Sequence, residues 1–336
     1  MVFKAAILEK IDQPLVVGNV ESNELEVGQV LVRVVMSGLC GSQLQEIRGE
    51  KNNSQYVPHL LGHEGCGIVQ GIGPGVTQLK YGDKVIMHWR VGSGIESAFP
   101  LYIYKDRIIS GGKVTTLSQY TVTSQNRLTK VDFNTPDDLC ALLGCGLSTA
   151  LGVINNDAKI KFGESVLVLG CGGVGISIVM AARSAGAGDI HVYDKFIDKS
   201  AFTSQYNVIF HTPENVSIKS KIDCIVDTTG STDLVSQYLP ILSDRGRVVM
   251  ICQPREGSLL TIKNPSNLFL GEGQTLCTTQ GGKMNPTTDL PRYINFFNTS
   301  KIIPSTLVSH IFPLDDINLA IETLKSGKAG RILIRM

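Results

Sequence analysis

Cys40, His63 and Cys145 are side chains of the kinds that hold a transition metal, and the carboxylate of Glu64 stands beside the second of them. Thiolate and neutral imidazole are good zinc ligands, and a zinc that does chemistry needs three protein ligands and one open position. After Cys145 comes Gly170-Cys171-Gly172-Gly173-Val174-Gly175, a G-x-G-x-x-G run directly behind the apolar stretch SVLVL. In such a run the first glycine (Gly170) makes a tight turn and the second (Gly172) lets the backbone approach a pyrophosphate. The third (Gly175) lets helix pack on strand. The helix start then offers unpaired N–H groups and partial positive charge to phosphates. About 20 residues on, Asp194 ends the next apolar run, where an acid accepts hydrogen bonds from ribose hydroxyls. An acid there repels a 2′-phosphate and no arginine follows it, so NAD is favoured over NADP, tempered only mildly by Lys195 and Lys199. A Lewis-acidic ion beside a dinucleotide implies hydride transfer on an alcohol or carbonyl.

Spacing alone does not make the three metal-binding side chains converge. Taken singly, each cysteine is more often a small buried hydrophobe than a ligand. His59 and His88 read as surface or pocket histidines.

The elements that must position these groups change character along the chain. Short β-rich runs separated by glycine turns fill the first 145 or so residues, with strands expected at 29–36, 67–72 and 84–87. From about Gly163 strands and helices alternate: strands at 165–169, 189–193, 224–226 and 247–251, and a helix at 175–184. That alternation predicts a parallel sheet with crossover helices. Helices near 289–298 and 314–326 and a strand at 331–334 close the chain. At 336 residues the chain fits two domains, and 43% hydrophobic with 18% charged residues suits a folded protein rather than a disordered one. A net charge of +1 with no basic block argues against nucleic acid and membrane surfaces as partners. No run of 18 or more apolar residues predicts a membrane span, and MVFKAAILEK reads as a first strand rather than a secretory signal. Eight cysteines without a CxxC pair suggest reduced thiols in the cytoplasm.

In Gly62-His63-Glu64 with Gly67, Gly73 and Val76, in Cys40-Gly41-Ser42, in Cys145-Gly146-Leu147-Ser148-Thr149 and in Ser118-Gln119-Tyr120-Thr121, the chain resembles the zinc-dependent medium-chain alcohol dehydrogenases. The likeness runs over nearly the whole chain, including Gly327 to Arg331. It implies an α/β architecture: a GroES-like β-rich catalytic domain (1–148 and 280–336) and a Rossmann domain with a doubly wound parallel sheet (149–279), with the active site in the cleft between them. By that likeness Cys40, His63 and Cys145 bind one catalytic zinc, and Glu64 stands behind it or swings in as a transient ligand. Ser42 touches the substrate oxygen and starts a proton relay. Thr149 and Val174 shape the nicotinamide pocket, Gly170, Gly172, Gly173, Gly175, Asp194 and Lys199 belong to the cofactor site, and Arg331 reaches the pyrophosphate. Trp89 and Leu117 line the substrate cleft, with Gln253 and Thr279 near its mouth. The expected ligands are thus zinc, NAD and a small-molecule alcohol or carbonyl. The expected assembly is a homo-oligomer, either dimer or tetramer.

Departures from the family pattern shape the rest. The stretch 90–113 lacks the four close cysteines that hold a structural zinc in many members, so one zinc per chain is expected and that loop must be held by packing or by a neighbouring subunit. Gln43 stands where an acid is frequent, and Gln45, where some members end the relay with histidine, cannot act as a base. Arg90 and His88 flank Trp89, which points to a polar substrate such as a sugar, polyol or cyclitol hydroxyl. The alternative is that Trp89 packs and Arg90 is a surface charge. Two other readings stay open: a zinc-free quinone or enone reductase, and a non-catalytic nucleotide-binding protein.

Overall fold

The computed structural model describes residues 1–51, 53–269 and 273–336. The chain divides into two units, Met1–Cys145 with Asn285–Met336, and Gly146–Met284. These divisions differ from the expected 148/149 and 279/280 for a local reason. The helix Gly146–Gly152 packs on the helix Gly173–Ser184, and Asn156 Nδ2 donates to Gly282 O at 2.9 Å, which ties the stretch before Met284 to the same unit.

In the first unit, Val2–Leu8, Val16–Ser22, Leu101–Tyr104, Arg107–Ser110 and His59–Leu60 close a barrel. Its hairpin turns through Lys105 (φ 48°) and Asp106 (φ 58°), the paired left-handed conformation that matches strand twist in a two-residue loop. A second sheet runs in the order Leu128–Val131, Lys84–His88, Glu64–Ile72, Gln29–Leu39, Arg331–Arg335, Val308–Pro313, with Tyr120–Ser124 also paired to Gln29–Leu39. Val30, Val32 and Val34 bury against Val69, Val85 and Met87, the alternate-residue packing that a strand's period of two dictates.

Two extensions beyond the expected strands matter for chemistry. Gln29–Leu39 runs past residue 36 because Arg331–Arg335 pairs with its end, Ile332 opposite Leu39. It therefore stops one residue before Cys40. Glu64–Ile72 starts directly after His63 because Glu64 and Gly65 pair with His88 and Met87.

The second unit is a six-stranded parallel sheet ordered Ile209–His211, Ile190–Tyr193, Val166–Leu169, Ile222–Asp227, Leu242–Met250, Thr275–Thr278. In sequence rank this is 3-2-1-4-5-6, the Rossmann order, whose reversal point lies beside the first strand. The helix after that strand begins at Gly173, two residues before its expected start, because Ile176 N–H already bonds Gly172 O at 2.9 Å. Gly173 and Val174 thus form the first turn rather than the loop.

Candidate functional site

Cys40 leaves the end of its strand and starts the helix Gly41–Ile47, His63 precedes the strand Glu64–Ile72, and Cys145 follows the helix Asp137–Leu143. That helix end reaches the strand only because residue 144 is glycine. A side chain there would meet Glu64 Cα at 2.8 Å. The result is convergence: one ligand atom from each of Cys40, His63 and Cys145 lies within 4.8 Å of the other two, and all three residues are partly exposed.

The chemistry of this donor set fits zinc. Two sulfurs and one ring nitrogen are three protein ligands, which leaves one tetrahedral position for an oxygen. The three groups also act on one another. A hydrogen bond from Cys145, together with the His63 ring, pulls the Cys40 thiol well below its ordinary range, and the same bond with burial pushes Cys145 well above it. Burial disfavours the His63 cation, but its hydrogen bond to Cys40 and that thiolate's charge outweigh it and raise the ring's pKa.

Around this cluster the expected residues divide. Ser42 Oγ lies 3.5 Å from His63 Nδ1, and Gln43 Nε2 lies 2.7 Å from the same nitrogen. Glu64 is fully buried but stands outside the ligand cluster, with Oε1 accepting from the Arg331 guanidinium. Glu64 therefore stands behind the cluster, as one of its two expected places has it, and Arg331, 3% exposed, pairs with it inside the β-rich unit. Two unlike charges in a dry interior hold each other because either one left alone would be strongly destabilising.

Leu117 is corrected. It is 1% exposed in the apolar core with Leu39, Leu61 and Ile332, so it packs rather than lines a cleft. His88 is no surface or pocket histidine: it is fully buried, with Nδ1 2.8 Å from Arg90 O and Nε2 3.0 Å from Thr129 Oγ1. That burial lowers its pKa to about 3. His59 is half-buried, bonding Leu60 O and Asn53. Trp89 stays partly exposed with the Arg90 guanidinium over its ring at 4.6 Å, and Arg90 is 7% exposed, which removes the reading of Arg90 as a surface charge.

The cysteine-free loop holds itself. The Glu96 carboxylate accepts from Arg127 Nη2 at 2.8 and 2.9 Å and from Asn126 Nδ2 at 2.8 Å, with Lys113 Nζ at 3.1 Å. Burial works against this carboxylate, yet those bonds outweigh it and bring its pKa down to about 2. Arg127 also donates to Trp89 O, so the anchor reaches the segment that carries Trp89. Sequence reasoning missed this arrangement; Glu96, the one acid between Arg90 and Lys105, was the available signal.

In the second unit Gly170 turns with φ +93°, and a side chain at Gly175 would strike Gly170 O. Gly172, Gly173 and Val174 are partly exposed at the helix start. Asp194 Oδ2 accepts Cys171 N–H at 2.7 Å, Oδ1 accepts Phe196 N–H at 3.0 Å, and Lys199 Nζ lies 3.7 Å away. The acid is therefore fixed against the glycine turn. Thr149 is buried in the helix Gly146–Gly152, and Gln253 and Thr279 belong to this unit as well.

A family profile described as the alcohol dehydrogenase GroES-like domain matches residues 26–133, and one described as zinc-binding dehydrogenase matches residues 205–333. Among solved structures, the fold is similar to an alcohol dehydrogenase zinc-binding domain protein from Burkholderia ambifaria (24% identity, TM-score 0.89, 100% of this chain and 99% of that one). It is also similar to benzyl alcohol dehydrogenase from Acinetobacter calcoaceticus (22%, TM-score 0.88, 100% and 99%). A third is 2R,3R-butanediol dehydrogenase from Bacillus subtilis (21%, TM-score 0.81, 99% of each chain). At these identities the structural likeness speaks for the fold alone.

Proposed function

We propose that this chain, an oxidoreductase that belongs to the zinc-dependent medium-chain alcohol dehydrogenase family, transfers hydride between NAD(H) and a polar alcohol or its carbonyl partner. The convergence of Cys40, His63 and Cys145 carries this reading. These three residues would hold one zinc, with a fourth position left for the substrate oxygen. Bound there, zinc supplies Lewis acidity that stabilises charge on that oxygen, while the nicotinamide supplies or takes the hydride.

The chain's own residues do the rest. Ser42, partly exposed beside His63, has a hydroxyl that can hold the proton leaving the substrate oxygen. The exposed N–H groups at Gly172 to Val174 suit a pyrophosphate. Each Asp194 carboxylate oxygen accepts one backbone N–H and keeps acceptor capacity for ribose hydroxyls, and the acid disfavours a 2′-phosphate, which supports NAD. Thr149 would flank the nicotinamide. Arg90, held over Trp89 and felt electrostatically by Cys145, supports a polar substrate.

None of the eight cysteines forms a disulfide, which supports a reducing, cytoplasmic setting. Among the described residues no single helix is long and apolar enough to cross a membrane. Leu259 and Phe269 are largely exposed in the segment leading to the edge strand Thr275–Thr278, which supports a homo-oligomer.

Metal analysis, titration of NADH fluorescence, and a screen of polyols, sugars and simple alcohols with NAD and NADP test the reading together. One zinc per chain, NADH binding and turnover of polar alcohols are expected. Undiminished activity after metal stripping would sink the zinc assignment, and turnover of simple primary alcohols alone would remove the polar substrate.

A further inference from the structure

Gln43 is 1% exposed and faces two groups at once. Its Oε1 accepts Cys40 N–H at 3.0 Å, closing the start of the helix Gly41–Ile47, and its Nε2 lies 2.7 Å from His63 Nδ1 and 3.4 Å from Ser42 Oγ. An amide nitrogen only donates, so Nδ1 accepts and carries no proton. A neutral ring then carries its proton on Nε2.

That tautomer is the wrong one for a ligand. A ring that binds metal through Nε2 carries its proton on Nδ1 and donates it to an acceptor behind it. Once Nδ1 is a donor, Gln43 meets two donors, Nδ1–H and Cys40 N–H, with a single oxygen. If the amide turns to serve the ring, Cys40 N–H loses its cap. If it keeps the cap, two N–H groups oppose each other at 2.7 Å. Ser42 Oγ, 3.5 Å from Nδ1, is too distant to relieve the conflict.

We propose that Gln43 is a positioning residue that tunes metal affinity: loading His63 with metal turns the Gln43 amide and releases the Cys40 backbone N–H. The inference rests on the metal reading above. A carboxylate at position 43 has two oxygens and serves both donors, so Gln43→Glu removes the competition.

The test follows three signals in the full-length chain. In the zinc-free wild type, ¹⁵N spectra of His63 show the proton on Nε2; a proton on Nδ1 there overturns the proposal without any metal being added. On zinc loading, the Cys40 amide of the wild type exchanges with solvent faster, while that of Gln43→Glu keeps its protection. Competition against a chromophoric chelator gives Gln43→Glu about tenfold to a hundredfold tighter zinc binding. Tighter binding with unchanged Cys40 exchange in the loaded wild type reflects added charge alone and overturns the proposal, even though zinc is bound. A wild type that takes up no zinc overturns the metal reading itself.

Discussion

The Glu96 carboxylate meets cationic and amide donors, whereas Cys40, His63 and Cys145, in the same unit, meet chiefly one another. The Glu96 carboxylate gathers Arg127, Asn126 and Lys113 and closes a loop with side chains alone. In the Cys–His cluster a Cys145 hydrogen bond and the His63 ring favour the Cys40 thiolate, and the thiolate in turn favours the protonated ring. A satisfied network of the Glu96 kind rigidifies a loop. Side chains from Glu96, Arg127, Asn126 and Lys113 thus tie the loop between residues 90 and 113, while the Cys–His cluster brings together donors of the kind that hold zinc.

That contrast can be broken from the metal side first. Cys145→Ser should remove a ligand and lower kcat/KM by about a thousandfold, because several kcal/mol of charge stabilisation disappears with the ion. Thermal unfolding of the variant should show the β-rich unit still folded. Next in size, Glu96→Gln should destabilise the chain by about 1–2 kcal/mol in urea titration. Charge-assisted hydrogen bonds are lost, discounted because the side chain is 37% exposed. Zinc content should not change. An equal loss of zinc in both variants would erase the distinction between the clusters.

Acid separates them further. Glu96 has a folded pKa near 2 against an ordinary 4.5, so the unfolded chain takes up the proton first. Its contribution is complete above about 4.5 and is lost as pH falls toward 2. Glu96→Gln should flatten that part of a stability-versus-pH profile. His88 leans the same way over a higher window, from its ordinary 6.5 to about 3, because burial disfavours the cation. His88→Gln should remove that slope. Smallest of all, Lys113→Ala should cost under about 0.5 kcal/mol, since its side chain is half-exposed and screened by solvent.

What could be read beforehand follows the range of the interactions. The glycine turn was legible because its demands are local: Gly175 must clear Gly170 O a few residues away, and Asp194 returns to Cys171 N–H across adjacent strands. The helix start was misplaced by two residues because Gly173 carries no side chain to signal its conformation. The three ligands were legible through resemblance, since nothing in their spacing reveals that the helix Asp137–Leu143 stops against Glu64. The Glu64–Arg331 pair was not legible, because only the pairing of Arg331–Arg335 with Gln29–Leu39 brings residues so far apart in sequence together. His88 and Leu117 look alike in sequence to residues of a pocket wall; their burial is a property of the folded sheet and core. Glu96 found Arg127 across a loop whose path no periodicity encodes.

The most direct measurement is zinc per chain in the purified protein, set beside Cys40→Ser, His63→Ala and Cys145→Ser with Glu96→Gln as the control. The proposed function predicts about one zinc in the wild type and in Glu96→Gln, and far less in each of the other three. Full zinc in all three ligand variants, or none in the wild type, would contradict it.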